Sequence, residues 1–509
     1  MRKILYFKRI CTFVFIGLFV AVCFVQAQEP SVLKLKTKKE AIIAELEHAV
    51  PKLMKKANIP GLSIALIKEG EIIWQKGFGV KNTKTGEPVK ERTIFEAASL
   101  TKPFFAYAVL MMVDEGVLDL DTPLIKYLPQ ENIEKDLLKH PLDFEGFRSD
   151  WFRRITARHV LSHSSGMPHG ERGKPYPLFF EPGEKYKYSA QGYWYLQLVV
   201  EHLKKQKLKE LMKDYVLEAL KMKDSSMVWK DEYETQAAVG HHLLSYPREF
   251  RKRTRSHAAA SLYTTAGDYA RFVIAVMNGA GLKKETAKIM LKPQVEVDKD
   301  VYWSLGFGVQ RTPEGDAFWQ WGDYGIFRNY ITAFKEHKLG VVYFTNSFNG
   351  LSIGYEVVLR ALGLKDLAIA VLGYDQYDSP NLVFAQTMIK QGIDEAMKMF
   401  PELKEKYPAD KVERGINSLG YSFLNAEKYD EAIALFKVNV EHFPNSANAY
   451  DSLAESYMKS GNNELAIKFY EKSLEAIPDD PRPDKDFLER LKKNAKDNLE
   501  KLKKKEEKK

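Results

Sequence analysis

The chain is 509 residues long, enough for two or three domains and a large core, and its hydrophobic and charged fractions are those of an ordinary globular protein. Its formal net charge of +9 does not mark a nucleic-acid-binding face. Arg2, Lys3, Lys8 and Arg9 supply four charges, and six lysines and two glutamates in the tail 501–509 supply a net four more, so the remainder is near neutral.

The first 27 residues read as a signal peptide: a basic n-region, an apolar run from Ile10 to Val25, and small residues in Val25-Gln26-Ala27 at the cleavage positions. Cleavage after Ala27 makes the protein exported, periplasmic or extracellular. The run is short of a comfortable membrane span. A membrane link is expected only if this segment is kept as an anchor or Cys23 is lipidated, and Val22 is bulky for lipoprotein processing. Cys11 and Cys23 are the only cysteines, so the chain beyond the signal has neither disulfides nor thiol chemistry.

Residues 28–375 are expected to form one catalytic-sized domain. Leu62 to Lys68 and Ile72 to Phe78 flank the turn Glu69-Gly70-Glu71 and predict a β-hairpin. A strand-like run, Thr93 to Ala98, leads into Ser99-Leu100-Thr101-Lys102, and an apolar helix from Phe104 to Val113 leads out. Ser and Lys three residues apart at a helix start share a face, so an amine reaches the hydroxyl and no histidine base is needed. Ser-x-x-Lys also occurs at Ser31–Lys34 and Ser456–Lys459, but only the middle copy has a strand before it and a buried-looking helix behind it. Pro103 fits the first turn of that helix. Helical patterns follow at Trp194 to Lys204 and Ala266 to Asn278, and strand signals return at Gly306 to Gln310, Tyr330 to Phe334 and Leu339 to Thr345. Strands at both ends with helices between them predict an α+β fold whose antiparallel sheet is assembled from the two ends.

Residues 381–500 read as helical repeats. Leu419, Tyr429, Ala432, Phe436 and Pro444 have counterparts 34 residues on at Leu453, Asn463, Ala466, Tyr470 and Pro478, the period of a tetratricopeptide helix pair. A looser copy lies upstream at Ala396, Phe400 and Pro408. The repeats either brace the preceding domain or form a groove for a protein partner. A charged tail, 501–509, ends the chain.

The stretch from about Gly61 to Gly363 resembles the serine β-lactamase and penicillin-binding-protein superfamily, nearest the branch of class C β-lactamases, D-alanyl-D-alanine carboxypeptidases and related esterases. The phrases that carry the resemblance are Phe95 to Pro103, Leu118 to Pro123, Leu161-Ser162-His163-Ser164-Ser165-Gly166, Pro182-Gly183 and Tyr188-Ser189-Ala190-Gln191-Gly192-Tyr193. The fold implied is a β-lactamase/transpeptidase-like domain, an antiparallel sheet flanked by helices. The resemblance implies Ser99 as the acylated nucleophile, Lys102 as the lysine sharing the base role, and Tyr188 as the second proton carrier. It matches the site-lining strand to Trp319-Gln320-Trp321-Gly322-Asp323, with Gly322 keeping the strand surface open and the amides of Ser99 and Asp323 forming an oxyanion hole.

Two positions depart from the family pattern. Gln320 stands where the family has Lys or His and brings hydrogen bonds without charge. Ala190 stands where an asparagine often binds the substrate amide. Both, with Trp321 and Gly322, are assigned to substrate binding, and the departures weaken β-lactam recognition while leaving the acylation machinery. Arg328 is assigned a structural role in preference to that of a replacement charge, and His163 is read as structural in a turn. His241, His242 and His257 lack metal-ligand spacing and no phosphate loop is present, so neither a metal nor a nucleotide cofactor is expected. The expected function is an exported serine hydrolase acting on an ester or peptide-like amide. Two alternatives stand beside it: a β-lactam-hydrolysing or D-Ala-D-Ala carboxypeptidase-type enzyme, and a weakly catalytic module that binds cell-wall fragments while the repeats recruit a partner.

Overall fold

Strands β1 (Gly61–Lys68) and β2 (Glu71–Gly79) form the expected hairpin, joined by Glu69 and Gly70, both at positive φ (58° and 78°). Positive φ at both turn residues matches the strands' own twist. The computed structural model describes residues 33–128, 149–169, 178–482 and 484–506. The segment 1–27 expected as a signal peptide, Ser31 and residues 129–148 lie outside the described residues.

The chain next forms the short strands β3 (Phe95–Glu96) and β4 (Tyr263–Thr264), which pair with each other in a small separate sheet. The strands β5 (Val295–Asp298), β6 (Val301–Trp303), β7 (Gly308–Thr312), β8 (Gly315–Asp323), β9 (Arg328–Phe334) and β10 (Leu339–Thr345) follow. They join the hairpin in one antiparallel sheet of order β2-β1-β10-β9-β8-β7-β6-β5, closed between β1 and β10 by pairs running from Leu62↔Thr345 to Ile67↔Gly340. The two ends of the domain thus build the sheet, as the strand signals predict.

Both faces of the sheet are covered, so its central strands read as continuous apolar runs instead of alternating ones. Successive side chains enter different cores. Ala65, Ile67, Ile331, Ala333, Val342 and Phe344 face the helical middle of the chain, which includes α2 (Thr101–Asp114) and the helices Ala190–Lys204 and Ala266–Asn278. Leu62, Ile64, Leu66, Tyr330, Val341 and Tyr343 pack beneath α1 (Lys39–Ala57) and the helix Gly354–Leu362. The helix α2 is buried almost all round, from Thr101 to Leu110, which sets its first turn in the middle of the molecule.

The strand expected over Thr93 to Ala98 shrinks to two residues. The backbone on either side is satisfied by loops: Ile94 N–H donates to the Gln236 carbonyl and Ala97 N–H to that of Leu262. The strand expected from Gly306 begins at Gly308, because Gly306 holds a φ of +103°.

In the C-terminal third the 34-residue period becomes two helix pairs, Ala409–Leu424 with Tyr429–His442 and Ala447–Lys459 with Asn463–Ala476. Leu419, Ala432 and Phe436 and their counterparts Leu453, Ala466 and Tyr470 all lie in one core. The looser upstream copy packs the helix Pro380–Gln391 against a second helix broken in two. Ala396 and Phe400 fall on separate short helices, Ile393–Met397 and Phe400–Lys406, since Pro401 restarts the chain as a new first turn. The last helix, Lys485–Glu506, runs on into the stretch expected as a tail, anchored by the buried Leu502.

Candidate active site

The first turn of α2 begins in a 3-10 segment, Ala98–Leu100, with Ala98 in the left-handed region (φ 49°). For a residue with a side chain this conformation costs of order 1–3 kcal/mol and persists only where neighbours enforce it. They do so here from several sides. Thr101 Oγ1 donates to the Ala98 carbonyl at 2.7 Å and accepts from Leu262 N–H at 3.0 Å. Tyr269 Oη donates to the Leu100 carbonyl at 2.8 Å, and Gln320 Nε2 to the Ser99 carbonyl at 3.0 Å. Ser99 itself stays partly open to solvent.

Lys102 is 1% exposed, and its Nζ lies 3.1 Å from Ser99 Oγ and 3.0 Å from the Ala259 carbonyl. The rings of Tyr188 and Tyr193 sit 4.6 and 5.7 Å from the same nitrogen. Burial penalises the ammonium and brings its pKa from 10.5 down to about 7. A free amine is therefore populated at neutral pH beside the hydroxyl. The other Ser-x-x-Lys pair in the described residues is structural: Ser456 Oγ bonds the Leu453 carbonyl and Lys459 pairs with Glu455.

Tyr188 meets this pair from the start of the helix Ala190–Lys204. Its hydroxyl accepts from Gln320 Nε2 at 3.2 Å and interacts with Ser99, and burial raises its pKa despite both. Hydroxyl, amine and phenol, separated in sequence, thus converge. Gln320 is fully buried on β8 and ties Tyr188 to Ser99 by its one amide group, while its Oε1 has no hydrogen-bond partner among the described residues. Ala190 opens the helix behind Tyr188 and carries no polar group toward a ligand.

Trp321 lies over Tyr188, ring centroids 4.7 Å apart and inclined by 38°. Gly322 is required for a reason other than an open strand surface. A Cβ there would stand 2.2 Å from the Ala97 carbonyl oxygen, so glycine is what lets β8 press against the segment that carries Ser99. Asp323 ends β8 opposite Arg328 on β9. Arg328 is structural: its Nε bonds Asp323 at 3.1 Å, one Nη donates to the Phe348 carbonyl at 2.6 Å, and its guanidinium stacks on Phe348.

His163 has a larger part than a turn residue. It too is left-handed (φ 55°) and fully buried. Its carbonyl accepts from Lys187 N–H at 2.8 Å and its Nδ1 from Ser189 N–H at 3.1 Å. It thereby grips the chain on both sides of Tyr188, and its ring lies 4.2 Å from the phenol ring. Burial and the Lys102 charge hold the imidazole well below its usual pKa, hence neutral, as an Nδ1 acceptor must be. The phrase Leu161 to Gly166 was the sequence signal for this residue; its grip is visible only in three dimensions.

The β-lactamase family model matches residues 46–361, and a tetratricopeptide-repeat model matches residues 423–485. Esterase EstB of Burkholderia gladioli is 24% identical over 385 residues, covering 63% of this chain and 94% of the esterase. Protein flp of Staphylococcus aureus (strain MW2) is 25% identical over 208 residues, 37% of this chain and 39% of that protein. Among solved structures, the octameric penicillin-binding protein homologue from Pyrococcus abyssi aligns with a TM-score of 0.53 and 23% identity over 69% of this chain and 82% of its own. The D-alanine carboxypeptidase AmpC from Burkholderia cenocepacia aligns with the same TM-score and 19% identity, over 63% of this chain and 99% of its own. At these identities the two structures establish the fold. The family match spans more than half of the sequence, and the chain accordingly belongs to the β-lactamase family, as a serine hydrolase of that kind followed by tetratricopeptide repeats.

Proposed function

We propose that the protein is an exported serine hydrolase that cleaves ester or peptide-like amide substrates through an acyl-enzyme at Ser99. The observation that carries this is the 3.1 Å contact between Ser99 Oγ and a buried Lys102 amine whose pKa is drawn to about 7. In the proposed sequence the neutral amine takes the Ser99 proton as Oγ attacks the substrate carbonyl, and the amides of Ser99 and Asp323 receive the oxyanion. The proton passes through the Tyr188 hydroxyl to the leaving alkoxide or amine as the carbon–heteroatom bond breaks. Water, deprotonated along the same path in reverse, then releases the acid and restores Ser99. Tyr188 stays protonated near neutrality and so relays a proton without itself becoming the resting base.

The substrate preference rests on Gln320, Ala190 and Trp321. A neutral amide at Gln320 and a methyl at Ala190 replace the charged and amide-binding groups that suit β-lactams and D-Ala-D-Ala peptides, Trp321 lies beside them over Tyr188, and the similarity to an esterase points the same way. Losing one charge-assisted and one neutral contact costs about 1.5–3 and about 1 kcal/mol, together about a hundredfold. The hydrolase is assigned to residues 28–375, the repeats to 381–500 as a docking unit for a protein partner, and export to the segment 1–27. Side-by-side kcat/KM values for p-nitrophenyl butyrate, nitrocefin and a D-Ala-D-Ala peptide test the preference. The ester is expected to lead by about a hundredfold; nitrocefin turnover equal to the ester's would reverse it.

A further inference from the structure

The seam between the sheet and the C-terminal helices holds a cavity of about 240 Å³ whose walls come from both sides, Arg328, Phe348 and Tyr374 from one and Leu382, Gly415 and Leu419 from the other. Tyr374 stands in the connecting segment, just after Gly373, whose φ of +69° ends the helix Leu367–Leu372, and before the helix that starts at Pro380. Its hydroxyl donates to Asp323 Oδ2 at 2.5 Å and also interacts with the Trp321 side chain. One phenol therefore touches two residues at the site end of β8: the one whose amide is assigned to the oxyanion hole, and the one stacked on Tyr188.

The next residue is tied to the helices instead. The Asp375 carboxylate accepts from Asn381 Nδ2 at 2.8 Å and lies 3.9 Å from Lys411 Nζ. Asn381 in turn packs against Gly415, where a Cβ would meet its Oδ1 at 2.7 Å. Arg328 completes the frame, bonded to Asp323 and lying 4.8 Å from the Tyr374 ring. Adjacent residues of a short connector thus hold the site strand on one hand and the first helices of the C-terminal unit on the other.

We propose that Tyr374 is a positioning residue for the hydrolase site, fixing Asp323 and Trp321 in a geometry set by how the C-terminal helices dock. This rests on the assignment of Ser99 as nucleophile and of the Asp323 amide to the oxyanion hole. An oxyanion donor acts only where it points at the developing charge, and displacements well under a hydrogen-bond length are felt in rate more than in binding. The Asp323 carboxylate is held by three donors, from Tyr374, Arg328 and Gly325 N–H, and the Tyr374 hydroxyl alone links it to the connector.

In the full-length protein, Tyr374→Phe is expected to lower kcat on a p-nitrophenyl ester about tenfold while KM moves by about twofold at most. Asp375→Ala, which leaves the Tyr374 hydroxyl in place but cuts its neighbour's hold on Asn381 and Lys411, is expected to lower kcat about threefold or more. The double variant should lose no more than Tyr374→Phe alone, as residues acting through one link are non-additive. An unchanged kcat in Tyr374→Phe, a loss confined to KM, or fully additive losses would each overturn the proposal. Ser99→Ala, run alongside, separates the two failures. If it keeps the ester rate, the nucleophile assignment is wrong; if it loses the rate while Tyr374→Phe is untouched, only the coupling is wrong.

Discussion

Lys102→Met should cost about a thousandfold in kcat/KM on a p-nitrophenyl ester, the range of a positioned general base, while raising thermal stability at pH 7. Both effects come from the same burial. The folded protein holds the Lys102 amine at a pKa of about 7 against 10.5 for an exposed lysine. Below pH 7 the folded state must bury an ammonium, a cost of order a few kcal/mol. Between about pH 7 and 10.5 the unfolded chain binds the extra proton, so stability rises with pH and the cost fades. Methionine removes that cost, offset in part by the lost bonds to Ser99 Oγ and the Ala259 carbonyl. The difference in unfolding midpoint between Lys102→Met and the native protein should therefore be largest below pH 7 and shrink toward pH 10. The native kcat/KM should climb through about pH 7 as the free amine forms, then level off. A profile flat from pH 6 to 8.5, or a methionine variant retaining a tenth of the rate, contradicts the base assignment.

Gly322→Ala should be nearly as damaging, for a steric reason. The added Cβ would sit 2.2 Å from the Ala97 oxygen and 3.2 Å from Asn329 Nδ2, which is itself bonded to the Glu96 carbonyl at 2.9 Å. Neither neighbour is the free end of a flexible chain. The strand β8 must back away, taking Gln320 off the Ser99 carbonyl and the Asp323 amide off its target. We expect about a hundredfold loss in kcat with a stability loss of about 1–3 kcal/mol, measured by steady-state kinetics and denaturant unfolding. Native kcat in this variant would mean that β8 does not need its close approach to Ser99.

What the sequence disclosed follows the range of the interactions involved. The helix Ala266–Asn278 was readable to the residue, because local signals set its ends: the Thr265 side chain caps one and Gly279 at φ +63° stops the other. The β1–β2 hairpin and β10 were readable from strand-like runs bounded by turn residues. Strands β5 and β6 gave no signal, being four and three residues long and held in place by their neighbours. Ser99, Lys102 and Tyr188 could be chosen because the phrases around them resemble a family, and the distances between them are the structure's contribution. The neutral character of Gln320 was legible, but its use as a clasp between Tyr188 and Ser99 was not. Tyr374 gave no signal at all. It lies in a connector without a motif, 51 residues from Asp323, and its role comes wholly from the tertiary fold.

Turnover by this route requires a covalent bond between substrate and one hydroxyl. The most direct measurement is the intact mass of the full-length protein and of Ser99→Ala after exposure to a fluorophosphonate, with ester hydrolysis followed in parallel. The native protein should gain one phosphonyl group, located to the peptide containing Ser99, and lose its activity in step; Ser99→Ala should take up none and hydrolyse nothing above background. Stoichiometric labelling of the alanine variant, or ester turnover by it at the native rate, would place the chemistry elsewhere.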